Sequence, residues 1–134
     1  MGMFTDSLPE AVQSVLSDSQ FLLLYSLASY TIVGESEQML FHGFSVLKQV
    51  QVAREGAKTQ LVEAVYRSMA DPEALQMLCF IPRHGLRAIQ GDKSVDLVIC
   101  YQCGNLKIYF NGTQVNGYWS TSRTSRTLFD DLLS

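Results

Sequence analysis

No stretch of this sequence stays apolar for the roughly 18 to 20 residues that a membrane-spanning helix needs. The opening MGMFTDSLPE lacks the basic start and apolar centre of a secretory leader. Met1-Gly2 begins like a myristoylation motif, but Asp6 stands where that motif has Ser or Thr. Basic charge is also scarce: 10 Lys and Arg stand against 13 Asp and Glu, for a net charge of −3. A phosphate-binding surface shows as clustered Lys and Arg, and Arg123 and Arg126 alone do not make one. There is thus no electrostatic case for nucleic acid and none for a membrane. Three cysteines, an odd number, fit thiols in a reducing cytosol better than a disulfide framework. Internal repeats, low-complexity tracts, a glycine-rich phosphate loop and a carboxylate pair at catalytic spacing are all missing. The expectation is a soluble cytoplasmic protein with no cofactor.

What is there is an ordinary globular composition, 47% hydrophobic and 17% charged over 134 residues, read as one domain spanning 1–134. Its centre is Met77 to Val115, where four turn signals punctuate runs of β-branched and aromatic residues. These are Pro82-Arg83-His84-Gly85, Gly91-Asp92-Lys93-Ser94, Gly104-Asn105 and Asn111-Gly112. Gly and Asn tolerate the positive φ of tight hairpin loops, so the pattern predicts an antiparallel meander. Counting outward from simple turns, Cys79 faces Ala88, which faces Leu97, and Ile81 faces Leu86, which faces Ile99. Tyr101 then meets Ile108, Ile99 meets Phe110, and Ile108 meets Val115. Side chains alternate along a strand, so one face collects Met77, Cys79, Ile81, Leu86, Ala88, Val95, Leu97, Ile99, Tyr101, Cys103, Leu106, Ile108, Phe110 and Val115, interrupted by Gln90 alone. That face is core. The other mixes Phe80, Val98 and Tyr109 with Arg87, Asp96 and Lys107 and is expected to be at least partly wet.

Around the meander, Ser7-Leu8-Pro9-Glu10 reads as a capping box before a short helix carrying Val12, Val15 and Leu16. Phe21 to Leu27 and Phe41 to Val52 read as strands, the second bent at His42-Gly43. They either extend the sheet or form a second layer. Thr31 to Gln38 reads as a loop. Ala57 to Met69 and Thr124 to Leu133 are amphipathic helices, the first stopped by Asp71-Pro72, and Gly117 to Ser120 is a short strand. The fold class is α+β, an antiparallel meander of about five or six strands with helices packed on one face.

Cys79, His84, Cys100 and Cys103 invite a zinc reading, since thiolate and imidazole are zinc's preferred ligands and Cys100-Tyr101-Gln102-Cys103 has C-x2-C spacing. The straight register opposes it, placing Cys79 about 20 Å from Cys103 at 3.3 Å per residue. Only a bulge would bring His84, Cys100 and Cys103 together. Buried cysteines acting as small hydrophobes are the commoner outcome. A thiol-dependent enzyme would need a base beside the thiol and a group orienting that base; His84 is available, but Asp96 lies further down its strand. His42 reads as a half-buried histidine. Trp119, with Tyr118, either anchors a partner or caps the core where the sheet meets the last helix.

The strings from Cys79 to Arg87 and from Val95 to Cys103 resemble an uncharacterised family of small bacterial proteins. Its members carry C-F-x-P-R-H-G-[IL]-R and V-D-L-x-I-C-[FY]-x-C. An upstream F-H-G-x-x-V-L is similar to Phe41–Leu47, and a closing F-D-x-x-L to Phe129–Leu133. The resemblance spans residues 20–133 and implies a bacterial origin but no mechanism. Some members carry glutamate where Gln102 stands, so no acidic role is carried over to that position.

The functional expectation is a non-catalytic protein-binding module. Phe80, Arg87, Lys107, Tyr109 and Trp119 are the candidate contacts, because aromatics beside cations suit an interface. Small acidic α+β proteins without catalytic groups are often immunity or antitoxin-type partners of a toxin or effector, an analogy of fold and composition. The alternatives are a small zinc protein using Cys79, His84, Cys100 and Cys103, and a thiol-dependent enzyme.

Overall fold

A computed structural model describes residues 8–28, 39–74, 77–117 and 119–134. Ser7 of the expected capping box, the expected loop Thr31 to Gln38, and Tyr118 lie outside the described residues. The elements run α1 (Glu10–Ser17), β1 (Phe21–Leu27), β2 (Leu40–Phe41), β3 (Phe44–Val52), α2 (Glu55–Ala70) and β4 (His84–Gln90). They continue β5 (Lys93–Cys100), β6 (Asn105–Phe110), β7 (Thr113–Gln114), β8 (Trp119–Ser120) and α3 (Arg126–Leu133). The fold is α+β: one antiparallel sheet in the order β2-β3-β1-β4-β5-β6-β7, with β8 also on β6.

The expected core face is the core from β4 onward, but Met77 and Ile81, expected on it, are exposed because their segment is not in the sheet. Leu86, Ala88, Val95, Leu97, Ile99 and Ile108 are buried together with Val12, Val15 and Leu16 of α1, Leu61, Val65 and Met69 of α2, and Phe129 and Leu133 of α3. Each such side chain contributes about 1.5 to 3 kcal/mol by leaving water. Helix α2 is further tied down by Lys58, whose ammonium donates to the Ser19 and Gln20 carbonyls at 2.7 and 3.0 Å. Asp71, before Pro72, ends the helix in extended backbone.

Four expectations are corrected. Residues 77–81 form no strand and Pro82–Gly85 no hairpin turn, β4 already beginning at His84; β1 takes the expected strand's place beside β4, with Leu22 opposite Ala88 and Leu24 opposite Leu86. The main chain of 77–81 bonds instead to Asn105, Cys100 and Cys103, whereas Phe21–Leu27 offers an unbroken run with Leu22 and Leu24 on the core side. The pairings also differ from those counted, one hairpin being tighter and the next looser. The β4–β5 hairpin closes on Gly91-Asp92, so Leu97 faces Leu86 rather than Ala88. The next loop spans Tyr101 to Gly104, so Leu97, not Tyr101, faces Ile108. Both slips are by an even number of residues, which keeps every side chain on its expected face.

Third, His42-Gly43 is a two-residue hairpin turn, not a bend: φ is +49° and +88° there, and Phe41 pairs with Phe44 across it. Fourth, the second face is not wet around Asp96. Tyr25, Leu27, Phe41 and Val98 form a second core there, with Leu23, Phe44, Val46, Phe80 and Tyr109 packed against it. Asp96 itself is buried. The β2–β3 hairpin brings in Phe41, whose ring lies where a Cβ on Gly85 would sit, 2.6 Å from its Cε2. Gly85 lets the ring down onto β4.

Candidate functional site

The second core is built on one buried carboxylate. Strands β4 and β5 place Arg87 opposite Asp96, and Arg87 Nε and a terminal guanidinium nitrogen donate to Oδ1 and Oδ2 at 2.8 and 2.9 Å. The turn at His42 delivers its Nε2 to Oδ2 at 2.7 Å. The His42 ring stacks on Tyr109 at 3.6 Å between centroids, Phe41 stacks on Tyr25 at 4.4 Å, and Arg87 lies over Phe41 at 5.4 Å. The hydrogen bond from Arg87 to Asp96 raises the guanidinium pKa further above its ordinary value. Burial raises the Tyr25 phenol, an effect that the Arg87 charge opposes. A charge taken out of water needs a partner and hydrogen bonds, and Asp96 has both. Both oxygens of the carboxylate are engaged, and the arrangement ties the β2–β3 hairpin to β4 and β5.

The five expected contact residues therefore divide. Arg87 and Tyr109 are joined through Asp96 and His42, with the Arg87 side chain 38% exposed. Phe80 and Lys107 come together separately, the Lys107 ammonium lying 4.4 Å from the Phe80 ring centroid. Trp119 is 3% exposed and belongs to the helix-covered core, the capping role rather than an exposed anchor. Its neighbour Gly117 has no room for a Cβ, which would sit 2.4 Å from the indole. His42 is the member that sequence reasoning missed. The signal available was the dipeptide His42-Gly43 between two phenylalanines, which marks a hairpin whose turn residue lands on the neighbouring strands' face.

The cysteines overturn a further expectation. Cys79 and Cys103 are joined by a disulfide, with Cα atoms 5.7 Å apart rather than about 20 Å, and Cys100 is a buried free thiol. The distance had assumed a straight strand at 77–83; as a loop, that segment crosses the end of β5 instead. There Cys100 Sγ accepts N–H bonds from Ile81 and Cys103 at 3.4 and 3.1 Å and donates to the Ile81 carbonyl at 3.3 Å. Asn105 Nδ2 donates to the Met77 and Cys79 carbonyls, each at 3.0 Å. The Met77 N–H reaches the Cys103 carbonyl at 2.7 Å.

His84 is not in that group. It faces Ile99, not Tyr101, across the ladder, and its Nε2 meets Asp130 Oδ1 of α3 at 2.7 Å. An aspartate does orient this imidazole, but from a helix instead of the neighbouring strand. The cavity beside His84, about 200 Å³, is lined by Arg83, Tyr101 and Arg126 among others and by no cysteine, so the His–Asp pair has no thiol to activate. Among the described residues, no three His, Cys, Asp or Glu are grouped to hold a metal ion, and no helix is long and apolar enough to cross a membrane. No protein-family model, curated protein or solved structure matches this chain.

Proposed function

We propose that the chain is a non-catalytic bacterial protein-binding module of the immunity or antitoxin type, which neutralises a toxin or effector by covering it. The observation that carries the reading is the segment 77–81. Leu78 is 97% exposed, Met77 56% and Ile81 38%, yet their backbone is tied down by the disulfide and by the bonds from Asn105 and Cys100. Exposed aliphatics on a fixed backbone make a preorganised contact, since little further ordering is needed on binding. Phe80 and Lys107 flank them with an aromatic and a cation, the pairing that favours an acidic or mixed partner surface.

The low positive charge supports a protein partner over nucleic acid. Composition supports a cytoplasmic setting, and the Cys79–Cys103 disulfide pulls the other way, because disulfides persist in oxidising compartments. Alkylating living cells before lysis and mapping the cysteines under non-reducing conditions decides between them. The test of function uses the wild-type chain and a Leu78→Asp/Ile81→Asp variant as baits in a lysate of the native host. A protein retained by the first and lost by the second, with unchanged melting of the bait, supports the reading if co-expression of the chain also relieves that protein's toxicity. Equal retention by both baits sinks it.

A further inference from the structure

We propose that the cavity on Cys79 is a modification site for a small thiol that carries a carboxylate, which attacks the Cys79–Cys103 disulfide and becomes bonded to Cys79. The cavity, about 250 Å³, lies between the 77–81 segment and the β6–β8 edge, with Cys79, Phe80, Asn105, Lys107 and Trp119 in its wall. That volume falls just under the range of drug-sized pockets, about 300 Å³ upward, and suits a ligand of amino-acid size. The two residues of the disulfide differ in access: Cys103 is completely buried, whereas Cys79 is half-buried and lines the cavity. A nucleophile from solvent therefore meets the Cys79 side of the bond first.

The wall also states what the thiol should carry. Lys107 is its one charged residue, in a chain whose net charge is −3. Its ammonium is held over Phe80 at 4.4 Å, a fixed cation for a carboxylate. Two residues of the wall also carry polar atoms without a hydrogen-bond partner among the described residues, the Trp119 indole N–H and Asn105 Oδ1, but both atoms are buried behind the cavity surface. The Lys107 ammonium is therefore the group that selects the charge of the incoming thiol.

The exchange is redox-neutral. The incoming thiolate forms an S–S bond to Cys79 Sγ as the Cys79–Cys103 bond breaks. The electron pair of that bond goes to Cys103 Sγ, which takes the proton released by the incoming thiol. One disulfide is lost and one is made, so no oxidant is required. Cys103 is left as a thiol beside Cys100 in the C-x2-C turn, and the 77–81 segment loses its covalent tie while gaining a charged adduct. The proposal stands independently of whether that segment binds a protein.

The experiment compares N-acetylcysteine with its neutral primary amide on the oxidised full chain, with rates taken per thiolate and the adduct located by non-reducing peptide mapping. The expected result is an adduct on Cys79 with the anionic thiol faster by about fivefold, the scale of one partly exposed ion pair. In Lys107→Gln, whose side chain is exposed and whose fold should be unaffected, the two rates should become equal. An adduct on Cys100 or Cys103, no adduct with either thiol, equal rates on the wild type, or a preference that survives Lys107→Gln would each overturn the proposal.

Discussion

Asp96→Ala should be among the more damaging single substitutions on the second sheet face, and Lys107→Ala on the same face among the mildest. The Asp96 side chain is 3% exposed and takes two hydrogen bonds from Arg87 and one from His42, all between 2.7 and 2.9 Å. Hydrogen bonds to charged groups are each worth about 1.5 to 3 kcal/mol, but they do not add when their donors can return to water. Arg87 is 38% exposed and His42 16%, so both regain some solvent when the carboxylate goes. The expected loss is about 2 to 4 kcal/mol, at or below the cost of breaking a fully buried pair. Lys107 is exposed and gives up only its contact with Phe80, about 1 kcal/mol or less.

Urea titration followed by Trp119 fluorescence reads both losses, because that single tryptophan is buried in the main core. Arg87→Met completes a cycle. Alone it leaves the buried carboxylate to His42, so Arg87→Met/Asp96→Ala together should cost less than the sum of the single changes by about 1.5 kcal/mol or more. Equal small losses for Asp96→Ala and Lys107→Ala, or strict additivity in the cycle, would mean that this face is solvated and the carboxylate organises nothing.

Gly85→Ala should cost about 1 to 3 kcal/mol, because the new Cβ meets the Phe41 ring at 2.6 Å, and Phe41→Leu in the same chain should recover part of the loss in a denaturant titration. Burial raises the pKa of Tyr101, with Ser125 opposing the shift, and of Tyr25. The native state then holds protons that the unfolded chain releases near pH 10, so stability should be level below about pH 10 and fall as pH rises beyond it. Phenolate absorbance should show these two of the six tyrosines ionising only together with unfolding. Cys79→Ser should lower stability by about 3 kcal/mol, as expected for opening a loop of this sequence separation, 24 residues. Thermal melting of oxidised and reduced wild type checks that number without a substitution.

The main core was legible because periodicity carries it. Leu86, Ala88, Val95, Leu97 and Ile99 alternate, and an even slip in register leaves alternation intact. The exact pairing was not legible. It depends on whether a hairpin closes on Gly91-Asp92 or one residue later, and glycine and its neighbours permit both. Placing β1 between β3 and β4 is a long-range choice that local pattern does not report. The Asp96 cluster was half-legible. Arg87 and Asp96 were assigned to one face, but His42 reaches them from a hairpin 54 residues away in sequence. Asp130 escaped notice because it sits on the exposed side of an amphipathic helix, where an acidic residue needs no explanation. The disulfide was missed for a geometric reason, since the separation of Cys79 from Cys103 was measured along a strand that does not exist.

With helices on one face of β4 and β5 and the β2–β3 hairpin contributing a second core on the other, the central strands have little face left to offer a partner. Arg87 and Tyr109 are then committed to holding the hairpin down, and on the proposed reading the contact surface lies in chain outside the ladder. Segment 77–81 is such chain, and its aliphatics are exposed because its backbone, rather than its side chains, holds it in place. A loop fixed through main-chain bonds and one covalent link can vary its side chains without unfolding. The same link makes it answerable to thiols, because its more accessible cysteine, Cys79, lines the cavity that Lys107 marks with positive charge. The proposed binding through Leu78 and the proposed exchange at Cys79 thus share one short stretch of backbone, and breaking the disulfide should loosen the segment that presents Leu78 while leaving both cores in place.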